Sequence, residues 1–171
     1  MHRHDPHLQA DERTSLNEFL DYHRATFLSR IEGLDHEQLN RRLPPSDLTL
    51  ASLAKHLAFV EDHWFQSDFM GAPMPAPWTD APFDDDRDWE LHSAIDDDPA
   101  DLIAWYTAAC ERSRVVAAAA GSLDSLSHRI NDREGMAFSL RWIMLHMIEE
   151  TARHNGHADF IRESIDGLVG E

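Results

Sequence analysis

Glu150 and His154 stand four residues apart in the stretch SLRWIMLHMIEETARHNGHADFIRE. Residues at i and i+4 of a helix share one face, and a carboxylate and an imidazole at that spacing can meet a single metal ion. On a wheel of about 100° per residue with His146 at zero, Glu150 falls at about 40°, His154 at about 80°, His157 at about 20° and both Ile143 and Ile161 at about 60°. The pair therefore flanks the middle of an apolar stripe. A carboxylate facing a core is costly unless it is paired, protonated or bound to a metal. His56, beside Leu53, Leu57 and Val60 near the edge of another stripe, offers a third ligand. In catalytic zinc sites, three such ligands leave a position for water or substrate. An iron facial triad uses the same ligand types, and nickel or manganese would also suit them, so the set does not name its metal. The competing reading keeps the histidines as hydrogen-bonded core residues and pairs Glu150 with Arg153 or Arg114.

The remaining chemistry-bearing residues read more plainly. His146 and His157 border the same stripe and read as pocket residues beside the ligands. His63, two turns beyond His56, lines the site or the surface, and His23 belongs to the inner stripe of the first helix. Cys110 has no adjacent cation in sequence to lower its pKa, so it reads as a structural thiol. Asp84, Asp85, Asp86 and Asp88 lack the glycine and terminal glutamate of an EF-hand loop and read as a solvated acidic run. His2, His4 and His7 fall in a polar start, residues 1–10, which reads as a flexible tail ahead of a single domain over 11–171.

These residues must be positioned by helices, because the apolar pattern is helical almost throughout. A first helix spans about 11–33, with Leu16, Phe19, Leu20, His23, Phe27 and Ile31 as its stripe. A second runs from about Leu48 to Met70, capped by Asp47 or Thr49 and ended by Gly71. A third starts at Asp98-Pro99, a cap followed by proline at the first helical position, and ends near Gly121. A fourth spans about 139–166, with Gly167 beyond it. Residues 122–138 are mixed, with Gly135 a turn and no convincing strand alternation. The expected architecture is all-α: a four-helix bundle with a long loop, 71–98, between helices two and three. That loop crosses over one end of the bundle and lines the site, with Trp78, Phe83 and Trp89 as its aromatic residues.

Composition bounds the partners. The chain has 171 residues, 42% of them hydrophobic and 27% charged, which suits one globular domain. A formal net charge of -17 argues against nucleic acid and against an anionic membrane surface. The N-terminus carries no apolar core of a secretory signal, and one cysteine rules out an internal disulfide framework. The expected compartment is the cytoplasm, with small molecules as partners and a homodimer left open.

Three stretches, LDYHRATFLSRIEGL, LPPSDLTLASLAKHLAFVEDHWF and WIMLHMIEETARHNGHADFIRE, resemble the DinB superfamily of metal-binding four-helix bundles. That superfamily includes mycothiol-dependent isomerases and the bacillithiol and mycothiol S-transferases. The closest likeness is to an actinobacterial branch, formerly of unknown function, some of whose members are mycothiol S-transferases. The family's three-ligand pattern maps onto His56, Glu150 and His154. Many members have histidine where this chain has Glu150; the glutamate is shared with the mycothiol-dependent isomerases. The resemblance implies a divalent metal, zinc first, that holds a low-molecular-weight thiol as its thiolate for attack on an electrophile in detoxification chemistry. In that chemistry Trp78, Phe83 and Trp89 of the long loop would cover an apolar electrophile. It leaves two other classes open: another metal-dependent isomerase or hydrolase, and a non-catalytic, stress-associated metal-binding bundle.

Overall fold

The computed structural model describes residues 3–170; the expectation for His2 lies outside them. Four long helices carry the architecture. α1 (Glu12–Ile31) begins at Asp11, whose side chain accepts from the Thr14 amide at 3.0 Å. Such a cap is worth about 1 kcal/mol. A four-residue helix α2 (His36–Leu39) follows. α3 (Leu50–Asp62) opens with a reciprocal Thr49–Ser52 capping box and continues as a π-helical segment, His63–Phe69. A one-turn helix α4 (Trp89–His92) lies in the crossover to α5 (Pro99–Ala119), which starts at the Asp98 cap with proline in its first turn. The longest helix, α6 (Leu140–Asp166), is capped by Ser139 and closed by Gly167 at φ 77°.

α1 packs on α6 and α3 on α5, and α3 also meets α6. The core between them includes Leu20, Phe27, Leu53, Leu57, Tyr106, Ile143 and Met147, all essentially inaccessible to solvent. Apolar burial of this kind is the main favourable contribution to folding. α3 and α6 run antiparallel: Trp64 meets Trp142 and His146, His56 meets His154, and Leu48 shares a pocket with His157. Charges inside the core are paired. Arg24 grips Glu61 through two hydrogen bonds of 2.7 and 2.6 Å, and both side chains are buried. Among the described residues, no helix is long and apolar enough to cross a membrane.

Four sequence expectations need correction. Phe19, assigned to the inner stripe of α1, is 48% exposed. The α-helix of the second segment stops at Asp62 rather than Met70, because the wider π turn takes over. The interval 122–138 holds a hairpin, β1 (Leu126–Asn131) antiparallel to β2 (Met136–Ser139), with a register irregularity between Leu126 and Ile130. Its alternation is inverted: Ser127 points inward and is buried, while Leu126, Ile130 and Met136 face out. The Ser127 hydroxyl donates to the Arg129 carbonyl and accepts from the Phe138 amide, which is why a small polar residue takes the inner place. Finally, Trp78 does not cover a substrate. It is buried and its indole donates to Asp62 at 2.9 Å, alongside a two-pronged contact from Arg112 to the same carboxylate.

The crossover is tied down at its far end by Lys55. This buried lysine donates to Asp97 at 2.6 Å and Ser93 at 2.8 Å, and its ammonium lies 4.2 Å from the centre of the Trp89 ring. Gly71 turns the chain out of the π segment at φ 66°, with the His128 ring of β1 so close that a Cβ there would fall 2.5 Å from it. Only glycine suits both the dihedral angle and the approach.

Candidate metal centre

The middle of the α3–α6 seam brings His56, Glu150 and His154 together. One donor atom from each lies within 4.8 Å of the others. Glu150 Oε1 is 3.2 Å from His56 Nε2 and 3.2 Å from His154 Nε2. The side chains are 19%, 17% and 12% exposed, so the cluster is sheltered yet reachable. Arg114, one alternative partner for Glu150, is instead engaged by Asp21 and Glu111.

The electrostatics of this cluster suit a cation. Hydrogen bonds from His154, then from His56, hold the Glu150 carboxyl well below the usual range, so it is ionised. Burial pulls His56 down, but its hydrogen bonds to Glu150 and Glu90 and their charges outweigh this and raise it to about 9. A proton held that firmly between two carboxylates marks a place where positive charge is favoured.

Each imidazole is also held from behind. His56 Nδ1 lies 3.0 Å from Glu90 Oε1, and His154 Nδ1 lies 3.3 Å from His157 Nδ1. Outer partners of this kind fix ring orientation and tautomer in metal sites. Glu90 was not legible in the sequence. It belongs to α4, is buried, and its Oε2 has no hydrogen-bond partner. A buried carboxylate oxygen without a partner is costly unless positive charge lies near. The donor set of two imidazoles, one ionised carboxylate and a second carboxylate behind one ring fits a divalent metal.

The model of the mycothiol-S-transferase family matches residues 15–167. The chain belongs to that family. It is the branch of the DinB superfamily that the three sequence stretches resemble, and the match takes in the four long helices apart from residues 12–14 of α1. No curated protein matches the chain. Within this mycothiol-S-transferase family member, the other sequence candidates fall around the three-residue cluster. His157 touches His154, and burial, then the charges of His154 and Arg153, hold it below the usual histidine range. His146 stacks on Trp142 at 5.2 Å and meets the edge of Trp64. His63 stacks on Phe59 and lies 3.7 Å from Asp68, away from the three donors. His23 is half-buried on α1, and its backbone carbonyl accepts from Asn155. Cys110 is buried, and burial, then the Glu61 charge, push its thiol far above the usual range.

Proposed function

We propose that this protein is a cytoplasmic, metal-dependent thiol S-transferase whose metal ligands are His56, Glu150 and His154. The carrying observation is the convergence of two imidazole nitrogens and one ionised carboxylate oxygen in a partly open cleft of a mycothiol-S-transferase family member. When bound there, a divalent cation, zinc first, supplies the Lewis acidity that keeps a small thiol deprotonated and nucleophilic at neutral pH.

The chain's own residues then have defined tasks. With the Nε2 lone pairs of both imidazoles turned to the centre, His56 Nδ1–H donates to Glu90 and His154 Nδ1–H donates to His157. His157, neutral at pH 7, serves as the acceptor in that contact and positions His154. His146, held flat against Trp142, borders the cleft one helical turn before Glu150 and contacts substrate. In the reaction the thiol gives its proton to solvent, its sulfur bonds to the electrophilic carbon, and the leaving group departs with its bonding pair. No protein nucleophile is required, which agrees with the buried, protonated Cys110.

The test is elemental analysis followed by a transfer assay comparing metal-loaded and chelated protein with mycothiol, bacillithiol, glutathione and cysteine. Thiol-dependent conjugation that needs the metal is the expected result, with mycothiol the best thiol. Thiol-free hydrolysis or isomerisation in place of conjugation would replace this reading with a metal-water enzyme.

A further inference from the structure

One pocket lies on the hairpin side of the three-residue cluster and another on the side of the α2–α3 connector, and the two differ in chemistry. Toward the hairpin lies a pocket of about 350 Å³ edged by His63, Asp68, Arg129, Asn131 and Asp132, a charged and hydrogen-bonding surface. Toward the other end lies a pocket of about 230 Å³. Leu43, Pro44, Pro45 and Leu48 of the α2–α3 connector form one side of it, and Phe160 and Ile161 of α6 the other. His157 and the exposed Ser46 supply its few polar atoms. This apolar pocket adjoins the centre through His157, which lines it and lies 3.3 Å from His154. Phe160 is 69% exposed, an aromatic ring left in water beside the cleft.

We propose that the apolar pocket beside His157 receives the apolar group of the electrophilic substrate. The inference rests on the transferase reading and assigns one of its two substrates to a place. A hydrophilic thiol would lose its water hydrogen bonds there and find almost nothing to replace them. An aromatic ring or a short alkyl group would instead gain from leaving water and covering Phe160. The volume is small beside whole-ligand pockets of roughly 300–1,000 Å³, so it suits one group of a substrate rather than an entire molecule.

Two exposed positions allow the assignment to be tested. Ser46→Trp fills the pocket, and Phe160→Ala removes one side. Metal content and the thermal melt identify any variant that has lost its fold. Kinetics are compared for bromobimane, a bicyclic apolar electrophile, and iodoacetamide, a small polar one. The bimane-to-iodoacetamide ratio of kcat/KM should fall roughly tenfold or more in Ser46→Trp and about fivefold in Phe160→Ala. The KM for the thiol should stay within about twofold of the wild type. An unchanged ratio in both variants overturns the assignment, and a rise confined to the KM of the thiol gives the pocket to the other substrate. A second readout needs no turnover: ligand-observed NMR of naphthalene with the metal-loaded protein should show binding that Ser46→Trp abolishes, and equal binding in both also overturns it. If the wild type conjugates no electrophile with any thiol, the transferase reading itself fails and the substrate role of the pocket goes with it. An altered selectivity ratio is possible only if the transferase reading holds.

Discussion

Glu90 Oε1 lies 3.0 Å from His56 Nδ1, while Glu150 Oε1 lies 3.2 Å from Nε2 of the same ring. One imidazole thus links the crossover to the last helix, and its orientation depends on both. Replacing Glu90 with glutamine keeps the shape and removes the charge. Outer partners of this kind are worth about 10–100-fold in metal affinity. We expect Glu90→Gln to bind metal about that much more weakly, with the helical circular dichroism unchanged, as read by competition with a chelator of known affinity.

His154→Ala should lose stoichiometric metal altogether. Deleting residues 1–8 should leave the tight metal intact, because His4 and His7 stand by the outer face of α1, where His7 engages Glu18. Elemental analysis after dialysis distinguishes the two, and full occupancy in His154→Ala would refute this ligand assignment.

Protons and metal should compete for His56. The group titrates at about 9 in the metal-free protein, and a ligating imidazole must be neutral. Apparent metal affinity should therefore rise about tenfold per pH unit from pH 7 toward 9. The stability of the metal-free protein should move the opposite way. A folded-state value raised above the ordinary 6.5 gives stability that is complete below about 6.5 and is lost as pH rises through 9, on the order of 3 kcal/mol in all. Melting curves of chelated and loaded protein across pH 6–10 would show the two trends diverging.

Cys110→Ala should retain most of the transfer activity. The thiol is buried 3.9 Å from Glu61, protonated, and not within the cleft. A variant that lost activity while keeping its metal and fold would show that this sulfur takes part in the chemistry.

The Arg24–Glu61 pair predicts a large structural effect. Both groups are buried and doubly hydrogen-bonded. Glu61→Gln leaves the guanidinium only the partly exposed Asp21 as countercharge, and breaking a buried pair costs about 3–5 kcal/mol. Urea denaturation should report that loss, and metal stoichiometry should persist in whatever fraction remains folded.

His56, Glu150 and His154 were legible from sequence because each interrupts an apolar stripe, where a polar side chain needs a reason. Glu90 carried no such mark. It follows a run of aspartates in which one carboxylate looks like another, and only the docking of α4 on α3 buries it. The four helices were legible from their period and caps: Thr49, Asp98 and Gly167 act as expected, while Ser139, expected as the first helical residue, is the cap of α6. The hairpin was hidden because its apolar residues face water and its inward residue is a serine. The π segment was hidden too, since a wider turn leaves the residue types unaltered while it changes which face His63 occupies.

Lys55 and His56 are consecutive on α3, and between them they hold residues 89–97 through Trp89, Glu90, Ser93 and Asp97. Arg87 lies just ahead of this clamp and is exposed. Trypsin can cut after Arg87 only when the backbone there leaves its folded path. The speed of that single cleavage therefore measures how tightly the crossover is stapled to α3, and chelation, which frees the other edge of the His56 ring, should quicken it.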